Sequence, residues 1–131
     1  LGLPHRESAM IAYVTLGTND LPRAAEFYDA LLAQLGAGRA MAMDRMIVYA
    51  SAAGSPMLAV CTPYDCNAAT TGNGVMVALA AGSREGVDAL HASALGLGAS
   101  DEGAPGERMP GFYGAYFRDL DGNKLCACHF G

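Results

Sequence analysis

The hydrophobic pattern of this chain changes period in a fixed order, and then does so again. Met10–Gly17 (MIAYVTLG) is rich in Val, Ile, Tyr and Thr and reads as a strand. Asp20 offers a helix N-cap with Pro22 in the first turn behind it. Leu21, Ala24, Ala25, Tyr28, Leu31, Leu32 and Leu35 then recur at helical spacing, and Gly36 stands where a helix-ending glycine belongs. Three short strands are predicted next, over Arg39–Met43, Met46–Ala50 and Met57–Cys61, with a turn at Gly54-Ser-Pro56.

Pro63–Gly74 is polar and turn-rich, and after it the order returns. Val75–Ala81 (VMVALAA) is a strand, and Ser83 caps a second helix with Glu85 in its first turn, where negative charge suits the helix dipole. Val87, Leu90, Ala94 and Leu95 form its apolar stripe, and Leu97-Gly-Ala99 echoes Leu35-Gly-Ala37. The Gly/Pro-rich stretch Asp101–Gly111 reads as a loop. Phe112–Arg118 reads as a strand, and Asp121-Gly122-Asn123 as a tight turn into a last strand, Lys124–Phe130.

This is an internal repeat. Aligning the caps Asp20 and Ser83 sets Tyr13 opposite Met76. Each half reads βαβββ: 10–62 is the first module, 63–73 a linker and 74–131 the second. One such half has a single helix to cover its sheet. The predicted fold is therefore α+β, one structural domain of two modules whose mixed sheets curve around a common cleft. Residues 1–9 look irregular and read as a disordered or added tail ahead of a native start at Met10.

Composition narrows the function. The 131 residues are 52% hydrophobic and 16% charged, with a net charge of −5, which suits a globular domain with a real core. No Lys/Arg cluster offers a basic face, so neither nucleic acid nor an anionic membrane is an expected partner. The apolar stretches are too short to span a bilayer, and no secretory leader is visible. Cysteines 61, 66, 126 and 128 do not have zinc-finger spacing, so reduced thiols and a cytoplasmic location are expected. No phosphate-loop, nucleophile-elbow, zincin or dinucleotide motif is present.

Two strings make the repeat recognisable. Tyr13-Val-Thr-Leu-Gly-Thr-Asn-Asp-Leu-Pro-Arg-Ala-Ala-Glu-Phe-Tyr28 and Gly111-Phe-Tyr-Gly-Ala-Tyr-Phe-Arg-Asp-Leu-Asp-Gly-Asn-Lys-Leu125 resemble the opening strand and helix, and the closing hairpin, of the vicinal-oxygen-chelate superfamily. Leu120 replaces the proline usual in that hairpin. The superfamily includes glyoxalase I, bleomycin-resistance proteins and extradiol dioxygenases, and the resemblance spans nearly all of Met10–Phe130. It implies a cleft for a small molecule, commonly in a homodimer. Metal-dependent members offer His or Glu from the first and last strand of each module. Those positions fall here on Tyr13, on Met76, on Leu58 or Ala59, and on Cys126. None is His or Glu, so no metal ligand and no cofactor are expected; a divalent metal is the alternative.

The resemblance places Tyr13, Thr15, Met76, Cys126 and Cys128 along the cleft. Strand alternation sets Cys126 and Cys128 on one face and Leu125, Ala127 and His129 on the other, so Cys126-Ala-Cys128-His129 is not a single metal cluster. Buried cysteine is ordinarily a small hydrophobe; as a nucleophile Cys126 would need a nearby cation, and none is evident on its strand. Tyr13 is the other catalytic candidate, as a weak acid or a ligand-orienting hydroxyl. Met43, Met46, Met57 and Met76 suit a core or an adaptable pocket. Phe112, Tyr113, Tyr116 and Phe117 alternate between faces. Arg108, in a segment read as a mobile lid, is the expected partner for an anionic ligand. His91 is expected on a helix flank near solvent, and His5 in the tail. The reading is a metal-free protein that binds a small, apolar or mixed ligand. The alternative is a lyase, isomerase or dioxygenase of the same superfamily, using metal or Tyr13 and Cys126.

Overall fold

The computed structural model describes residues 10–131. The tail 1–9, with His5, lies outside the described residues. The chain divides into two compact units between Ala69 and Thr70. The first carries β1 (Tyr13–Gly17), α1 (Leu21–Ala33), β2 (Gly38–Ala42), β3 (Met46–Ala50) and β4 (Met57–Cys61). The second carries β5 (Val77–Ala80), α2 (Arg84–Gly96), β6 (Ser100–Met109), β7 (Phe112–Arg118) and β8 (Lys124–Phe130). Each holds one four-stranded mixed sheet, in the orders β1-β4-β3-β2 and β5-β8-β7-β6. The outer strands β1 and β5 pair in parallel with β4 and β8, and the remaining pairs are antiparallel. The α+β fold of two βαβββ modules is thus the observed one.

The caps explain why the helices sit where they do. Asp20 accepts from the Arg23 amide, and Ser83 from the Gly86 amide. At the other end Gly36 N–H donates to Ala33 and Ala37 N–H to Leu32; Gly98 and Ala99 repeat this on Leu95 and Ala94. This double closure requires a left-handed residue, and Gly36 and Gly98 supply it with φ of 74° and 106°. The echoed Leu-Gly-Ala string is therefore one helix stop used twice.

Each helix covers one face of its own sheet. In the first module Ala24, Ala25, Phe27, Tyr28, Leu31 and Leu32 of α1 are buried, with Leu16, Ile47, Tyr49, Leu58 and Val60 from the strands. The Tyr49 hydroxyl donates to Asp29 of α1 at 2.7 Å, which identifies the helix side of β3. Arg39 of β2 holds the same carboxylate through two bonds of 2.9 and 2.8 Å. That pairing keeps Asp29 below its ordinary value, while burial and the adjacent carboxylate push the Tyr49 phenol up. In the second module Val87, Leu90 and Ala94 are buried, as are Ala115, Phe117, Leu125 and Ala127. Burying a large apolar side chain contributes about 1.5–3 kcal/mol, so these faces carry the stability of both units.

The structure corrects three expectations. The first strand starts at Tyr13 rather than Met10, and Met10 is 95% exposed. Gly103–Gly111 is not a lid: most of the stretch is β6, paired antiparallel with β7. Its Pro105 lacks an N–H, but β6 is an edge strand, and its register shifts between Gly103 and Gly106 absorb the irregularity. His91 is buried, not flanking: its Nε2 lies 3.0 Å from Asp101 Oδ1, and its ring meets Phe117 edge-on.

Candidate ligand-binding site

Register decides which side chains share the face opposite each helix. In the first module Tyr13 lies level with Met57, Thr15 with Ala59 and Gly17 with Cys61. Val48 of β3 is level with Ala59, so it joins them. Tyr13 is 57% exposed and Thr15 is exposed beside it, whereas Ala59 is fully buried. Leu58 points the other way with Tyr49, toward α1. Of the two residues matched to the fourth metal position, Ala59 is therefore the one on this face.

The second module repeats the frame with different chemistry. Ala78 lies level with Cys126 and Ala80 with Cys128; across β7, Tyr116 faces Cys126 and Gly114 faces Cys128. Lys124, two residues before Cys126 on β8, shares this face by alternation. The Tyr116 ring has the Arg108 guanidinium 5.3 Å and the Lys124 ammonium 5.5 Å from its centre. Both are cation–π distances. Arg108 is further fixed by a 2.5 Å bond from Nη2 to the Ala104 carbonyl. Cation, ring, cation and thiol thus form one continuous patch.

The patch rests on a rigid hairpin. Asp119 Oδ1 accepts from the amides of Asp121 and Asn123, each at 2.9 Å, and Oδ2 accepts from the Asn123 side chain. Arg118 also donates to the Gly122 carbonyl. The Asp-Leu-Asp-Gly-Asn string is thus a carboxylate-centred turn. It fixes the register that sets Tyr116 against Cys126.

Burial works against the thiols as nucleophiles. Burial and the neighbouring Cys128 push the Cys126 thiol up to about 11, and burial also raises Cys128. The absence of a cation on this strand, expected from sequence, is corrected: Lys124 is on it. Its charge does not offset the burial. Burial and the adjacent Cys126 likewise raise the Tyr116 phenol.

The structure brings Arg108, Cys126 and Cys128 onto one face through Tyr116, and sets Tyr13 and Thr15 together in the other module. Met76 stands exposed one residue ahead of β5. Sequence alone places Tyr116 only among four aromatics alternating between faces, and does not single out Lys124. The signal was present: counting back from the Asp121-Gly122-Asn123 turn pairs Arg118 with Lys124 and Tyr116 with Cys126.

The positions that the resemblance implies for metal fall on Tyr13, Met76, Cys126 and Leu58 or Ala59, of which Ala59 is the one on the face of Tyr13 and Thr15. They carry a phenol, a thioether, a protonated thiol and an alkyl group. These donors do not suit Fe, Mn, Ni or Mg, which take carboxylate and imidazole. Among the described residues, no three His, Cys, Asp or Glu side chains form a group that could hold a metal. Nor is any described helix long and apolar enough to cross a membrane.

Comparison with known proteins agrees with this architecture. A glyoxalase-like domain matches residues 13–128. A glyoxalase/bleomycin resistance protein from Albidiferax ferrireducens T118 is 41% identical, over 94% of this chain and 100% of that one, with a TM-score of 0.87. The hypothetical protein SA1046 from S. aureus is 26% identical, covers 93% of each chain and has a TM-score of 0.70. A glyoxalase/bleomycin resistance protein/dioxygenase family enzyme from Burkholderia phytofirmans PsJN shares the fold at 19% identity, over 94% of this chain and 100% of that one, with a TM-score of 0.75. Among curated proteins, none matches this sequence significantly. The chain belongs to the glyoxalase/bleomycin-resistance/dioxygenase family of the vicinal-oxygen-chelate superfamily, through its glyoxalase-like domain.

Proposed function

We propose that this protein binds a small molecule that is largely apolar and carries one anionic or oxygen-rich group, and that it does so without a metal. The observation that carries this reading is the Tyr116 ring with Arg108 and Lys124 over it, on the same sheet face as Cys126 and Cys128. The ring offers a flat apolar surface. The two cations offer charge to an oxyanion at its edge, and the neutral thiols add a soft, uncharged floor. Tyr13 and Thr15 form the corresponding polar edge in the first module, and Met76 adds an adaptable apolar side chain.

The probe is 1-naphthoate, an aromatic ring bearing a carboxylate. Titrated into ¹⁵N-labelled protein, it should give saturable shifts at Tyr116, Lys124, Cys126 and Cys128. An Arg108→Gln, Lys124→Gln double variant should weaken binding roughly 10-fold or more, as expected for loss of charged hydrogen-bond donors. Absence of saturation, or unchanged affinity in the double variant, overturns the reading. The metal-free part is tested separately by elemental analysis of protein purified without chelator. One stoichiometric Fe, Ni, Zn or Mn per chain would refute it.

An enzymatic reading in the lyase, isomerase or dioxygenase range of the family rests on the exposed Tyr13 hydroxyl, the one catalytic candidate still accessible. Tyr13→Phe and Cys126→Ser separate the cases: loss of turnover with binding intact would favour chemistry over sequestration. The proposal also includes a homodimer, motivated by exposed Met41, Met43, Val75 and Met109, and a cytoplasmic location, motivated by four free thiols. Sedimentation equilibrium and cell fractionation test the two.

A further inference from the structure

We propose that the first module carries a second ligand site, for a small anion of the carboxylate or phosphate type, centred on Arg45. The site is a cavity of about 360 Å³ contained within this one module. It lies at the carboxyl ends of β1 and β4, the module's parallel pair, where Thr18 begins the chain into α1 and Thr62 begins the chain toward Ala69. Chains that leave neighbouring parallel strands in different directions open a crevice between them.

The lining gives the crevice its chemistry. Arg45 comes from the β2–β3 hairpin, Thr62 from the end of β4, and Cys66 and Asn67 from the turn beyond. The Arg45 guanidinium has two partners: Nη1 donates to the Thr62 carbonyl at 2.5 Å, and Cζ lies 5.4 Å from the Tyr64 ring centre, a cation–π distance. Among the described residues no carboxylate pairs with it. The nearby Asp65 is occupied within its own turn, accepting from the amide and the side chain of Asn67. Nε and Nη2 therefore remain as a two-donor fork, the geometry that matches a planar or tetrahedral oxyanion. The Thr62 hydroxyl also has no protein partner among the described residues and can donate to the same anion. The turn is fixed by Asn19, which both accepts from and donates to the Ala69 backbone at 2.7 and 3.2 Å. In a chain of net charge −5, Arg45 sets a guanidinium with no carboxylate partner among the described residues in the lining of this crevice.

This site is independent of the Tyr116 face, and the experiment separates them. Acetate, inorganic phosphate and, as an ionic-strength control, chloride are titrated into ¹⁵N-labelled protein. Acetate or phosphate should give saturable shifts at Arg45, Thr62, Cys66 and Asn67, and whichever binds more tightly identifies the anion class. Arg45→Gln should weaken binding roughly 10-fold or more, and Arg45→Lys, which keeps the charge but loses the fork, by less. The same spectra report whether the variants are folded. If Arg45→Gln is not, Thr62→Val carries the test, with a several-fold loss expected. Shifts that never saturate, that chloride reproduces, or that survive Arg45→Gln overturn the proposal.

Discussion

Alkylation of Cys126 offers a direct test of how the second module's sheet treats its thiols. Cys126 is fully buried, and its thiol is pushed up to about 11 from an ordinary value of 9.0. At pH 8 an ordinary thiol is about one-tenth ionised and one at 11 about one-thousandth, so thiolate supply alone slows the reaction roughly 100-fold. Cys66 is exposed, so the reagent reaches it directly. Iodoacetamide labelling, followed by digestion and mass spectrometry, should show Cys66 modified first and Cys126 at least about 100-fold slower. The Cys126 rate should keep rising about ten-fold per pH unit until pH approaches 11. This holds whether the reagent reaches the folded thiol or waits for an opening, because either route draws on the same neutral folded state. A rate that levels off near pH 9, or Cys126 labelling alongside Cys66, would refute the reasoning and restore Cys126 as a nucleophile.

The raised thiol has a consequence for stability, with a definite sign. The folded state keeps a proton that the unfolded state has released, so stability is full below about pH 9 and falls as pH rises toward 11. The loss is at most about 3 kcal/mol, at about 1.36 kcal/mol for each pH unit across that window. Urea midpoints for wild type and Cys126→Ser should converge over the same range.

Other perturbations test the frame. Gly36→Ala and Gly98→Ala should each cost about 1–2 kcal/mol, because both sit at positive φ. Gly98→Ala should cost more, since its new methyl would lie 3.0 Å from Leu120 Cδ2 while Gly36 has open space; denaturant midpoints decide. Asp119→Ala should destabilise the second module by about 3 kcal/mol, because it strands three donors in a buried turn, and hydrogen exchange should quicken in β7 and β8. Tyr49→Phe should cost about 1 kcal/mol and leave the Asp29–Arg39 pair in place. Asp29 is held below its ordinary value, so its contribution is present above about pH 4 and is lost as pH falls further. Arg39→Gln should therefore flatten the acid limb of a stability–pH curve.

The order of elements was legible because its signals are local. Asp20 and Ser83 announce their helices within three residues, and Leu-Gly-Ala announces the stops. Strands β3, β4, β7 and β8 follow from short apolar runs between turns. The failures share one cause, which is that partners distant in sequence decide the outcome. Gly103, Pro105 and Gly106 have loop chemistry, and only β7 alongside makes them a strand. His91 has the spacing of a flanking residue, and only Asp101, ten residues on, lets it be buried. Tyr116 became a candidate site residue through Arg108 and Lys124, which reach it from two different strands.

Duplication also explains why the family names the fold more securely than the reaction. Elements that make a βαβββ module are held by caps, turns and the helix-covered face, and both modules keep them. The opposite face is under no such constraint. At equivalent positions Thr15 and Ala78 lie level with Ala59 and Cys126, and Met57 corresponds to Lys124. One frame thus displays a methyl and a thioether in the first module where it displays a thiol and a cation in the second. The uncharged Cys126 thiol places no negative charge beside Lys124 on β8, and that ammonium lies over the Tyr116 ring. An uncharged thiol and a cation held over an aromatic ring are thus neighbours on one strand, and it is this pairing that motivates the proposed capture of an anion-bearing ligand.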